Sequence, residues 1–170
     1  MDPAQYSSLE QRVEVTKRTR RADRLNNALE SVLGIPTDIF TGLDPLGIAI
    51  SRTINAAIGY CTGHVYGGFR DRIYQQFEVT KDSSILVRYL ADLAVFNAIQ
   101  SPVYVATTFI TSVMLHGINE NVWSTTQRGA KTIVALSFAT CFLKGMYTDF
   151  FRRRLFSVPT AQEKVDKLVG

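Results

Sequence analysis

The sequence predicts an all-α integral membrane four-helix bundle, built from two tandem, like-oriented transmembrane hairpins. Three observations lead there. The 23 residues from Leu93 to Leu115 carry no charge, and at about 1.5 Å per residue a helix of that length crosses a hydrocarbon core of about 30 Å. Lysine and arginine gather at residues 12–24, 70–88 and 152–167, and the stretches between are broken by TGLDPL (41–46) and HGINEN (116–121), turn signals that divide each stretch into two helices. The two halves also resemble each other. Overall composition, 46% hydrophobic with net charge +4 and mean hydropathy +0.03, lies between soluble and membrane proteins, so the distribution of charge decides the class.

Residues 1–24 read as a basic amino-terminal arm. Arg12, Lys17, Arg18, Arg20, Arg21 and Arg24 are diluted by Glu10, Glu14 and Asp23, and Tyr6 is the arm's one aromatic. That pattern fits anionic lipid headgroups and not nucleic acid, and it lacks the apolar stretch of a cleavable signal. A transmembrane domain over 25–151 follows, with helices expected at 25–43, 50–76, 86–115 and 122–151. The third is the most apolar. The second and fourth hold apolar stretches of 17 residues, Thr53–Phe69 and Thr132–Thr148, at the lower limit for a span; Lys144 lies near the basic end of the latter, where a long side chain can snorkel. The first contains Glu30 and Asp38. An acid at a helix centre costs roughly 2.5–3.5 kcal/mol on insertion, so this helix needs its neighbours in order to insert. Residues 152–170 form a basic tail. Because basic loops are retained in the cytoplasm, both termini and the middle loop are expected there.

The internal repeat is short but ordered. NALES (27–31) matches NAIQS (97–101) at an offset of 70, and Gly63, Gly67 and Asp71 match Cys141, Gly145 and Asp149 at an offset of 78. Helix one thus corresponds to helix three and helix two to helix four, and units of two spans must point the same way. Gly63-x-x-x-Gly67 and Cys141-x-x-x-Gly145 put small residues on one helix face, where backbones can approach closely. They suit helix packing, including a homodimer or a higher homo-oligomer.

Three segments carry a family resemblance: Val65-Tyr-Gly-Gly-Phe-Arg-Asp71; Leu90-Ala-Asp92 followed by Gln100-Ser-Pro-Val-Tyr-Val-Ala106; and Asp149 with Arg153-Arg-Leu-Phe-Ser-Val158. Over roughly residues 50–158 the chain resembles the bacterial L-alanine exporter (AlaE) family. The resemblance implies a small four-helix protein of the bacterial inner membrane that exports L-alanine, and possible relatives among small amino acids, by the proton-motive force. Its partners would be the bilayer, the amino acid and protons. The chain departs from the family pattern at Val65, which replaces a proline, at Cys141, which replaces a glycine, and at His64, where an aromatic is expected.

Candidate site residues follow from chemistry. Pro102 removes a backbone donor and clashes with the carbonyl of residue 98, loosening the helix at Ala98–Ser101. Freed carbonyls, with the Gln100 and Ser101 side chains, then offer acceptors to an ammonium group at mid-membrane. Tyr104 and Tyr66, in the two tyrosine-containing motifs, join this translocation set. Arg70 is the candidate for a carboxylate, although Asp71 beside it can pair with it, and its position suits either a gate or a positive anchor. Asp71, Asp92 and Asp149 with Arg88 and Arg152 can complete an ion-pair ring at the cytoplasmic end, an inner gate or a structural network. For proton coupling the intramembrane titratable groups are Glu30, Asp38 and His64. Glu30 aligns with Gln100 in the repeat, while Asp38 also fits the outer headgroups. The two histidines are 52 residues apart, Cys61 and Cys141 stand alone, and no phosphate loop or nucleophile elbow occurs, so no metal, cofactor or enzyme activity is expected. A membrane scaffold or effector without transport is the alternative that the polar first helix and long basic arm permit.

Overall fold

The computed structural model describes residues 3–169, with the side chains of residues 3–10, 32 and 33 outside that description. The described residues are all-helical: α1 (Pro3–Leu33), α2 (Ile35–Thr41), α3 (Pro45–Gln76), α4 (Ile85–His116), α5 (Glu120–Phe150) and α6 (Ala161–Val169). A π turn, Phe96–Gln100, interrupts α4 just before Pro102, and a second, Phe151–Leu155, prolongs α5. By length and composition, α4 is the one described helix apolar enough to cross a membrane.

Short polar residues start the helices. Asp44 caps α3 by accepting from the Gly47 N–H at 2.6 Å, with Pro45 in the first turn; Asn119 caps α5 through the Val122 N–H at 3.2 Å. Each satisfies a donor that the first helical turn leaves orphaned. The preceding turns use Gly42 at φ +82° and Gly117 at φ +68°, conformations that a side chain disfavours. The chain therefore reverses at both predicted breaks.

The first helix differs from its expected form. It runs unbroken across residue 24, so most of the basic arm and the start of helix one form a single helix; residues 1 and 2 of that arm lie outside the described set. It then stops at Gly34, because Pro36 cannot donate to residue 32 and crowds that carbonyl, and resumes as α2. The carboxyl-terminal tail also folds back. Thr160 and Glu163 form a reciprocal capping box, at 2.9 and 3.3 Å, and α6 buries Ala161 and Val165 against Tyr74, Val79 and Ala91.

The interior is polar and the outside apolar. Arg70, Arg152, Asp38, Thr107 and Thr108 are buried, whereas Leu90, Met114, Phe138, Leu143, Met146 and Phe150 are exposed. Water favours the reverse arrangement.

The small-residue stripes lie inside this bundle, antiparallel within each half. A Cβ on Gly59 would come within 2.7 Å of the Asn27 carbonyl oxygen, and one on Gly63 within 2.7 Å of the Arg24 Cα. One on Gly67 would overlap the Asp23 carboxylate, and one on Gly145 the Asp92 carboxylate. Cys141 is buried as well. Gly63, Gly67, Cys141 and Gly145 thus serve packing within the chain, which corrects the expectation that these stripes join two copies. Gly67→Ala should lower stability by about 1–3 kcal/mol through overpacking. Its neighbour Gly68 faces open space, so Gly68→Ala should instead raise stability by about 0.5–1 kcal/mol. Thermal unfolding of the two detergent-solubilised variants checks the opposite signs.

Candidate functional site

Charged groups are stacked inside the bundle in three layers. The first is a pair of clasps at the end where the basic clusters meet. Arg70 on α3 donates to Asp92 on α4 at 2.8 Å and to both Asp149 oxygens on α5 at 2.7 and 3.0 Å, while Tyr74 Oη donates to Asp92 at 3.0 Å. Arg152, just past α5, donates to Asp23 on α1 at 2.7 and 2.8 Å and to Asp71 on α3 at 2.6 Å; Lys164 from α6 adds a 2.5 Å contact to Asp71. Each arginine therefore leaves its own repeat copy and holds the two acids of the other. A guanidinium fork is suited to this bidentate grip.

The clasps also explain a register shift. Asp23 and Asp92 play equivalent parts at an offset of 69, while Asn27 and Asn97 match at 70. The π turn lies between Asp92 and the following turn of α4, with the Ser101 N–H reaching the Phe96 carbonyl five residues back, and it absorbs the extra residue.

The second layer centres on Lys144, only 4% exposed. Its ammonium pairs with Glu30 and donates to Asn27 Oδ1 at 2.6 Å and Gln100 Oε1 at 3.0 Å. It lies 4.1 Å from the Tyr66 ring centroid, within cation–π range. Three acceptors and an aromatic face exhaust what an ammonium can use. Lys144 therefore does not snorkel: near Glu30, Asn27 and Gln100 an interior position satisfies it better than a lipid-facing one. Glu30 also accepts from Asn26 Nδ2 at 3.1 Å.

The third layer is Asp38, fully buried. It accepts from Arg52 Nε and Nη2 at 2.7 and 2.6 Å and from Tyr104 Oη at 2.7 Å. Arg52 Nη1 donates to the Ser31 carbonyl at 2.8 Å, which at the break also takes the Gly34 N–H at 3.3 Å. A Cβ at Gly34 would overlap this guanidinium. Asp38 is thus an interior acid, not one placed among headgroups.

Between the second and third layers lies a cavity of about 230 Å³, lined by Asn27, Glu30, Ser31, Gly34, Thr37, Arg52, Asn55, Phe96, Gln100, Tyr104, Ile133, Thr140, Leu143, Lys144 and Tyr147. Gln100 and Tyr104 face it. Ser101 and Pro102 do not: they line a more open groove with Trp123 and Ala130 on the other side of α4, and Ser101 Oγ donates to Asn97 at 3.0 Å. Consecutive helical residues point about 100° apart, so the polar knot divides between two faces. Arg70 is fully engaged in its clasp, and Asp71 belongs to Arg152 instead of its neighbour. Arg88 donates to the backbone carbonyls of Ser83, at 3.0 Å, and Lys81, outside the ring. His64 is half-buried, does not line the cavity, and leaves its Nδ1 without a partner among the described residues. Asp23, Asn27, Arg52, Asn55 and Lys144 were not expected at the site. The repeat already held one signal, Asn27 against Asn97, and a lone base in an apolar stretch beside a lone acid in another held a second.

Apolar outer surfaces around paired charges and an amide-lined cavity define a helical membrane protein with an interior polar site. Residues 30–159 match the model of the family described as AlaE, L-alanine exporter, and the chain belongs to that family. It is therefore a transporter of the inner membrane, not an enzyme, with L-alanine as the family's substrate. No curated protein and no solved structure matches it.

Arg152 lies beyond the apolar stretch Thr132–Thr148. Burial would lower its basicity, and Asp23 and Asp71 overcome burial to hold the guanidinium above its ordinary value. Asp71 is the acceptor that Arg152 and Lys164 share, so Asp71→Asn should lower stability by about 3–5 kcal/mol at neutral pH. Thermal unfolding of the detergent-solubilised variant beside the wild type checks the loss.

Proposed function

We propose that the chain crosses the inner membrane four times and exports L-alanine in exchange for entering protons. The spans would be residues 25–43, 50–76, 86–115 and 122–151, with both termini and the middle loop in the cytoplasm beside the basic clusters. Hydropathy alone supports one span. The pairing of charges supports the other three, because Glu30, Asp38, Arg52, Arg70 and Lys144 each meet an interior partner and a paired, hydrogen-bonded charge costs far less to insert than a bare one.

The observation that carries the transport reading is the Glu30–Lys144 pair in the wall of the polar cavity. L-Alanine is a zwitterion. Inserted between the two side chains, its ammonium meets Glu30 and Gln100 and its carboxylate meets Lys144, so one ion pair becomes two without a change in net charge. A proton reaching Glu30 from outside removes the anion that holds the substrate's ammonium, and the amino acid departs outward. Loss of that proton to the cytoplasm restores the pair with Lys144. Phe96, Ile133 and Leu143 narrow the cavity, which favours a small side chain, and the Arg70 and Arg152 clasps serve as the inner gate. Asp38 keeps Arg52 throughout, whereas Glu30 exchanges Lys144 for the substrate's ammonium, which leaves Glu30 the better proton carrier.

Inside-out vesicles with an acidic lumen should accumulate labelled L-alanine. In Glu30→Gln, driven uptake should fall to background while alanine exchange persists; uptake that survives would move the proton site elsewhere. Gln100→Leu should insert normally and lose at least about tenfold in flux, the scale expected for a buried hydrogen bond to a charge. A wild-type protein without saturable flux would be a scaffold.

A further inference from the structure

We infer that Asn55 is the hydrogen-bond donor that recognises the substrate's α-carboxylate, so that free amino acids and not their amides fit the cavity. This rests on the export reading. Asn55 lies on α3, lines the cavity, and is 6% exposed, yet its Nδ2 has no partner among the described residues. A buried N–H without an acceptor is costly, and beside a cavity the missing acceptor is one that a ligand brings. The neighbouring donors are committed: Arg52, one turn away on the same helix face, gives Nε and Nη2 to Asp38 and Nη1 to Ser31, and Lys144 is held by Glu30, Asn27 and Gln100.

Charge sets the ligand's orientation. Glu30 and Gln100 offer acceptors and take an ammonium. A carboxylate, with two oxygens, can accept from Asn55 and from the Lys144 N–H that Glu30 gives up when the substrate's ammonium takes its place. Thr107 Oγ1 stands 3.1 Å from Asn55 Oδ1 and 2.9 Å from the Val103 carbonyl; its proton on Oδ1 leaves Nδ2 for the ligand. An amide turned the other way would present Oδ1, an acceptor, and the two arrangements predict opposite results for Asn55→Asp, which carries acceptors alone.

The test is the concentration dependence of labelled L-alanine counterflow in proteoliposomes, with L-alaninamide as competitor. In Asn55→Asp the KM for alanine should rise about tenfold or more with maximal flux retained, while alaninamide, whose carboxamide N–H can donate to the new carboxylate, should compete better than in the wild type. Asn55→Leu, an apolar replacement that keeps the volume, should raise the alanine KM similarly without helping alaninamide. An alanine KM within about twofold of wild type in both variants, an equal loss for both ligands in Asn55→Asp, or a fall in maximal flux alone would overturn the assignment. Absence of counterflow in the wild type would overturn the export reading itself, and a wild type that transports leaves the assignment to the variants.

Discussion

A buried charge must find a counter-charge, and at the two clasps of this bundle it finds it in the other half of the chain. Arg70 belongs to the first repeat and holds Asp92 and Asp149 of the second; Arg152 belongs to the second and holds Asp23 and Asp71 of the first. Asp38 is answered within its own half by Arg52, but neither half satisfies the acids of its clasp. Removing one partner of such a pair leaves an uncompensated interior charge, at a cost of about 3–5 kcal/mol, so the two halves are bound together by a requirement stronger than apolar contact between helices. Gly67 and Gly145 matter for the same reason, since each leaves the space that an aspartate occupies on its way to the opposite arginine.

Divergence between the copies then makes a site out of a symmetric frame. Tyr66 and Lys144 occupy equivalent positions at the offset of 78, and Glu30 and Gln100 at the offset of 70. All four meet at the Lys144 ammonium. Identical copies would place two lysines or two glutamates together, and like charges at close range repel. One acid, one base, one amide and one aromatic ring instead give a single balanced pair, polarised so that a zwitterion can exchange with it. The break at Gly34, absent from α4, adds the second asymmetry: it opens the Ser31 carbonyl to the Arg52 guanidinium, which a side chain at residue 34 would displace.

Much of this was open to reading in one dimension. Helix two, helix three and helix four follow from apolar stretches and from the breaks at 41–46 and 116–121, because turn chemistry and apolar runs are local properties. The loosening before Pro102 is local too, and the π turn at Phe96–Gln100 falls where the ring's clash places it. Glu30, Gln100, Arg70, Asp92, Asp149 and Arg152 stood out as polar groups in apolar or terminal settings.

What local rules could not supply is which group answers which. Lys144 reads as a snorkelling residue until α1 brings it Glu30 and also Asn27, the latter across 117 positions of sequence. Arg88 reads as a member of the ring until its guanidinium is seen to spend itself on its own loop. Ser101 and Gln100 are neighbours in the chain but open onto different spaces, since a helix turns by about 100° per residue. The sequence by itself determined the second, third and fourth helices and the candidate charges; tertiary structure alone decided the pairings, because an ion pair depends on separation in space while sequence records only separation along the backbone.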